Sequence, residues 1–226
     1  MQLYIGNKNY SSWSLRPWLL MTHAGIPFEE IKLRLSFTEG SEFKNTLKKL
    51  APTGKVPLLV DGGLVVWDTL AIAEYLAEKF PSKQLWPADR KARAHARSVC
   101  AEMHSGFGAL RSHFPMNIEA SLPHVGADVL RTQPEVVRDV ERIVEMWTEL
   151  LVQHGGPFLF GEFSVADAFY APVVTRLRTY GVPVLEAVNG YIDRMLQLPA
   201  MQAWTKDALA EQDFLDFDEP YRTARA

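Results

Sequence analysis

APTGKVPLLVDGGLVVWDTLAIAEYL, Ala51 to Leu76, is the stretch whose reading decides the fold of this chain. Two apolar runs, Lys55 to Val60 and Leu64 to Trp67, flank Gly62-Gly63, which is the spacing of a β-hairpin with a tight glycine turn. Asp68 and Thr69 follow, an acidic and a hydroxyl residue placed to open an apolar helix from Thr69 to Phe80. Pro57 has no N–H to give a ladder, so it belongs at a strand start or on an edge. There Val56 can offer its own N–H and C=O outward. Such a pair is what an extended peptide ligand hydrogen-bonds to, and a helix N-terminus at Asp68-Thr69 suits that ligand's charged end.

Toward the N-terminus, Leu3-Tyr4-Ile5 is a short strand candidate and Gly6 to Ser12 a polar loop rich in turn formers. Ser14 reads as an N-cap, with Pro17 tolerated in the first turn and Leu15, Trp18, Leu19 and Thr22 spaced at i, i+3, i+4 and i+7. Gly25 and Pro27 end that helix. Phe28 to Leu35 alternates as a half-buried strand, and Ser41 to Leu50 is a short irregular helix. The order β-α-β-α-β-β-α is thioredoxin-like, an α/β domain whose helices cover a mixed four-stranded sheet.

Toward the C-terminus, PSKQLWP, Pro81 to Pro87, marks a boundary. The chain therefore divides into an α/β domain at 1–80, a linker at 81–87 and an all-helical domain at 88–226. Ala88 to about Phe114 reads as one long helix and Pro134 to Gln153 as a second. Phe163 to Asp167 resembles a capping box ahead of Ala168 to Tyr180. Tyr191 to Leu196 and Pro199 to Glu211 supply further helices, and the tail DFDEPYRTARA is expected to be extended.

Of the 226 residues, 47% are hydrophobic and 23% charged, and the formal net charge is −3. No run of Lys and Arg offers an electrostatic footprint for nucleic acid or an anionic membrane. Neither a secretion signal nor a stretch of eighteen apolar residues is evident, so the expectation is a cytoplasmic, non-membrane protein. A lone cysteine, Cys100, excludes an intrachain disulfide and reads as a small buried hydrophobe. His104 and His113 have no obvious third ligand, so no metal is expected.

The order of Val56-Pro57, the hairpin and an acidic-plus-hydroxyl pair opening an apolar helix resembles the glutathione-binding half of the glutathione S-transferase superfamily. The loop Asn9-Tyr10-Ser11-Ser12-Trp13-Ser14-Leu15-Arg16 is similar to the Ser-Ser-Cys-Ser-x-Arg signature of its zeta class, which includes maleylacetoacetate isomerase, with Trp13 standing where that class has cysteine. The resemblance implies a cis bond at Pro57, pairing of Val56 with the cysteinyl backbone of glutathione, and a γ-glutamyl site at Asp68 and Thr69. It also implies that Trp13 and Lys55 contact glutathione, Lys55 through the glycyl carboxylate, that Arg16 ties the two domains through an ion pair, and that two chains form a homodimer.

The chemistry needs a thiolate. A free thiol with pKa near 8.5 is only a few per cent ionised at pH 7, and lowering that pKa by about two units stabilises the thiolate by about 2.7 kcal/mol. A serine hydroxyl donating to sulfur near a helix N-terminus can do this, and Ser11 and Ser12 both qualify. Met103, Phe107, Arg111 and Phe114 are candidates to line an electrophile pocket. Three functions follow: a glutathione transferase acting on small hydrophobic electrophiles, a glutathione-dependent maleylacetoacetate cis-trans isomerase, or a non-catalytic binding protein of this fold.

Overall fold

The computed structural model describes residues 1–225. Four strands, β1 (Gln2–Ile5), β2 (Glu29–Lys32), β3 (Leu58–Asp61) and β4 (Leu64–Trp67), form one sheet in the order β2-β1-β3-β4. β1 runs parallel to β2 and antiparallel to β3, and β3 pairs with β4 as the expected hairpin, Leu59 opposite Val66. Helices α1 (Ser12–His23), α2 (Glu42–Leu50) and α3 (Thr69–Lys79) complete a thioredoxin-like domain. Two strands are shorter than their apolar alternation suggests. Leu33 N–H still donates to Ile5 carbonyl oxygen at 2.9 Å, but beyond Lys32 the strand ends, and Leu33 and Leu35 join a small core with Tyr10, Phe43, Leu47 and Leu58. β3 is an interior strand rather than an edge, and it starts at Leu58, immediately after Pro57, because proline cannot donate.

The second domain is helical: α4 (Arg90–Ser105), α5 (Gly108–His113), α6 (Pro123–Thr132), α7 (Pro134–His154), α8 (Val165–Thr179), α9 (Glu186–Gln197) and α10 (Pro199–Ala210). α8 is its axis, buried on nearly every side and packed on α1 and α4. Its capping box is formed. Asp167, fully buried, accepts from Ser164 N–H at 2.9 Å, Leu159 N–H at 3.1 Å and Tyr191 O–H at 3.1 Å. Burial nevertheless pushes its pKa up to about 6.

The expected long helix from Ala88 to Phe114 is instead two helices. At Gly106 the backbone turns out of the helix, where a β-carbon would lie 2.7 Å from Glu102 carbonyl oxygen, and Phe107 takes φ +54. The break re-aims the chain, and Arg111 donates to the carbonyl oxygens of Met103 and Gly106 across it. α6, opened by Pro123 at its first turn, was not anticipated. It lies so close to the end of α8 that Gly126 has no room for a side chain beside Tyr180.

The tail, described to residue 225 with Ala226 outside the described residues, is not extended. It forms a 3-10 turn, Asp216–Asp218, and straps the two domains together: Leu215 enters the small core, Arg34 and Asn7 donate to Asp213, and Arg222 pairs with Glu119 and Glu219. Among the described residues, no helix is long and apolar enough to cross a membrane, and no group of three or more His, Cys, Asp or Glu could hold a metal ion.

Candidate active site

A cleft between the domains has two lobes that share Trp13, Thr53, Lys55 and Val56. The first, about 450 Å³, adds Pro57, Trp67, Asp68, Thr69 and His104. The second, about 490 Å³, adds Ser11 and Ser12, the aromatic residues Phe37 and Phe43, and Arg111, Arg176 and Asp218.

The first lobe is built by backbone. The Val56-Pro57 bond is cis, and with the ladder beginning at Leu58, Val56 keeps its N–H and C=O outside the sheet. Asp68 caps α3, accepting from Leu70 N–H at 2.9 Å, at φ +75. A non-glycine residue there costs about 1–3 kcal/mol and persists only where its surroundings hold it, a pattern concentrated at binding sites. Thr69 Oγ1 is buried with no hydrogen-bond partner among the described residues, so its hydrogen-bonding capacity is unspent beside the cavity that Thr69 lines. Lys55 is exposed at the mouth.

Three residues of this lobe, Thr53, Trp67 and His104, are not among the site residues the sequence points to. His104, weighed from sequence only as a metal ligand, comes from α4 to place Nε2 3.2 Å from Asp68 Oδ2, its ring 5.2 Å from that of Trp13. A signal for it exists in the i, i+4 row Ala96, Cys100, His104, whose first two members are buried.

At the seam stand the two serines. Ser11 is the N-cap of α1 and Ser12 its first residue, yet no side chain caps that end, so the first-turn N–H groups retain their attraction for negative charge. Ser14 is not the cap. It is buried one turn inside, where its Oγ accepts Gly6 N–H at 3.1 Å and lies 2.7 Å from Ser11 Oγ. Either hydroxyl can donate in that pair; when Ser14 donates, the Ser11 proton is left for the cavity. Ser12 Oγ makes no hydrogen bond among the described residues. The loop carrying these serines is clamped by the second domain: Glu211 accepts Lys8 N–H at 2.8 Å and Asn9 N–H at 3.3 Å, and Trp204 donates to Lys8 carbonyl oxygen at 2.9 Å.

Arg16 makes no ion pair. It is 1% exposed, all three guanidinium nitrogens lack a partner among the described residues, and it is sandwiched between Trp13, 4.0 Å from its ring centre, and Phe169 at 5.2 Å. Desolvation, and next the charges of Arg176 and Arg111, push its pKa down to about 9. Arg176 is lowered to about 10, chiefly by burial. Two of these guanidinium groups, Arg111 and Arg176, line the second lobe beside Asp218, and with Lys44 and Lys55 they outnumber that carboxylate, which favours a negative charge on a ligand there.

Of the four residues expected to line the electrophile pocket, only Arg111 lies on the cavity wall. Met103 and Phe114 are fully buried in the core, Phe114 stacked on Tyr180 at 4.4 Å, and Phe107 packs edge-on toward Tyr170. The helix break at Gly106 re-aims the chain that carries Phe107 and Phe114, while Met103, ahead of the break, is on the buried face of α4. Tyr10, Phe37, Phe43, Lys44, Pro115, Met116, Arg176 and Asp218 take their places, brought together by tertiary contacts alone. Cys100 is buried, and desolvation raises its thiol pKa well above the ordinary value.

Sequence and structure comparisons bear on this cleft. Residues 10–79 match the sequence model of the glutathione S-transferase N-terminal domain, and residues 93–207 that of the C-terminal domain. Glutathione S-transferase 1 of Dianthus caryophyllus is 30% identical over 197 residues, 84% of this chain and 85% of that protein. Maleylacetoacetate isomerase of Rattus norvegicus is 27% identical over 206 residues, 88% of this chain and 89% of that one. Among solved structures, a glutathione transferase homologue from Burkholderia gl BGR1 with bound glutathione superposes with TM-score 0.67 at 25% identity, covering 92% of this chain and 97% of the other. A zeta-class maleyl pyruvate isomerase superposes at 0.68 over 92% and 98%, and at 22% identity it speaks for the fold alone. The chain belongs to the glutathione S-transferase family.

Proposed function

We propose that this protein ionises the thiol of glutathione at the seam of the cleft and adds the sulfur to a small hydrophobic electrophile held in the second lobe. The observation that carries the reading is the hydrogen-bonded set of Gly6 N–H, Ser14 and Ser11, which reaches the cavity beside the open N-terminus of α1 and, with Ser14 donating, forms a relay that ends at the Ser11 proton. Such a chain polarises its last hydroxyl, so a thiolate accepting from Ser11 is stabilised more than by an isolated serine. Ser12, unbonded and adjacent, is the second donor. In the first lobe Val56 pairs with the cysteinyl backbone, Asp68 with the γ-glutamyl ammonium, and Thr69 with the neighbouring carboxylate. Trp13 forms the shared wall.

The test is the thiolate absorbance of bound glutathione against pH. Ser11→Ala should raise the bound thiol's pKa by about one unit or more, with turnover near neutral pH down ~10-fold, since a donor to a charged acceptor is worth about 1.5–3 kcal/mol. A larger shift in Ser12→Ala exchanges the two roles. If neither variant moves it, the N–H groups of α1 or Trp13 activate the sulfur and the serine mechanism falls. A second reading, addition followed by bond rotation and loss of glutathione, is favoured by the rat relative named an isomerase, and turnover of maleylacetoacetate decides for or against it. Passage through a glutathione-affinity column without retention would leave only a non-catalytic role. The same family reading carries a two-fold dimer, which a sedimenting species of single-chain mass at micromolar concentration contradicts.

A further inference from the structure

The 3-10 turn Asp216–Asp218 is pinned on both sides. Leu215 is buried in the small core, Phe217 meets Phe37 edge-on at 5.0 Å, and Glu219 accepts from Tyr10 O–H at 2.7 Å and Asn117 at 2.9 Å while pairing with Arg222. Between these anchors, Asp218 makes no side-chain hydrogen bond among the described residues and lines the lobe that Ser11 and Ser12 also line. It is partly buried, and four cations share its cavity, Lys44 and Lys55 from one wall and Arg111 and Arg176 from the other. None of them bonds it.

Resting on the transferase reading above, we infer that Asp218 is a catalytic proton donor of the second lobe, acting on electrophiles that become enolates when sulfur adds, the α,β-unsaturated carbonyl compounds. The thiolate pair forms the new C–S bond at the β-carbon, and the alkene pair moves toward the carbonyl oxygen. That oxygen's developing charge falls within a cavity walled by Arg111 and Arg176. The α-carbon then takes the proton of the Asp218 carboxyl, and the resulting carboxylate is reprotonated by the proton that glutathione released on ionising. Glutathione and alkene give the adduct with nothing left over. Displacement of an aryl halide needs no such donor, because the halide departs with its bonding pair. Burial, reinforced by the charge of Glu219, raises the Asp218 pKa to about 6, so a larger fraction is protonated near neutrality than for an ordinary carboxyl. Tyr10, also on this cavity, is raised to about 12, by burial first and then by its bond to Glu219, and stays neutral throughout.

The experiment compares methyl vinyl ketone with chlorodinitrobenzene at saturating glutathione. In Asp218→Asn the ratio of enone to aryl-halide kcat should fall by at least about tenfold, the low end of what a general acid contributes, and Asp218→Glu should restore most of it. In the wild type, enone kcat relative to aryl-halide kcat should decline as pH rises through about 6, and that decline should vanish in Asp218→Asn. An unchanged ratio, whether both rates drop together or neither does, overturns the inference. Thiolate absorbance in the same samples separates the two claims: wild-type protein that fails to ionise bound glutathione overturns the transferase reading, whereas normal ionisation with an unchanged ratio overturns only the role of Asp218.

Discussion

The two lobes of the cleft are nearly equal in volume and opposite in construction. The first is made almost wholly by one run of chain, Thr53 to Thr69, with Trp13 and His104 closing it. The second draws on seven separate places, from Tyr10 to Asp218. Their recognition differs in kind as well. The first offers main-chain groups at Val56, an N-cap carboxylate and a buried hydroxyl, which suit a ligand that is itself peptide-like. The second offers aromatic faces and a surplus of cations over one carboxylate, which suit a polarised apolar molecule. A site for a fixed cosubstrate can be local, whereas a site for a variable one is left to side chains on independent elements.

That division can be broken by experiment. Asp68→Asn keeps an oxygen to cap Leu70 N–H and tolerates positive φ, so it removes charge with little else. Glutathione affinity, measured by calorimetry, should drop about tenfold, the difference between a charged and a neutral hydrogen bond. The electrophile KM at saturating glutathione should not move. If it rises in parallel, the lobes are one site. Glu219→Gln probes the opposite side, weakening the bond to Tyr10 and the pairing with Arg222. We expect a loss of about 1–2 kcal/mol in stability and a few-fold rise in electrophile KM, with glutathione affinity unaltered. Denaturant titration and initial rates read both.

The same contrast governs what the sequence could disclose. Val56, Pro57, Asp68 and Thr69 were legible because turn chemistry, a missing N–H and a helix start act within a few residues of one another. The serine pair was legible by likeness to a signature, but not the relay behind it: Ser14 reads as a cap from spacing alone, and only the approach of Gly6 turns it inward. Phe107 carries no sign that it will adopt φ +54, so the break that re-aims Phe107 and Phe114 was hidden, although the flanking glycines hinted at it. Arg16 was expected to find a carboxylate, and aromatic faces took that place. Leu215, just ahead of the tail, sits in a polar stretch that conceals it, because its burial depends on a core built from residues between Tyr10 and Leu58.

The smallest effect falls on the residue the lobes share. Lys55 is exposed and lines both, so its ammonium can serve the glycyl carboxylate of glutathione on one side or face the electrophile on the other. An exposed ion pair is worth about 0.2–1 kcal/mol, which is a change of fivefold or less in affinity. Single substitution therefore cannot assign it, but a cycle can. Binding of glutathione and of its glycyl ethyl ester is measured to the wild type and to Lys55→Ala, at low and high salt. If Lys55 holds the glycyl carboxylate, Lys55→Ala should weaken glutathione but not the ester, and the coupling should shrink as salt screens it. A coupling of zero at low salt would assign Lys55 to the second lobe, and the peptide-binding lobe would then rest on Val56, Asp68 and Thr69 alone.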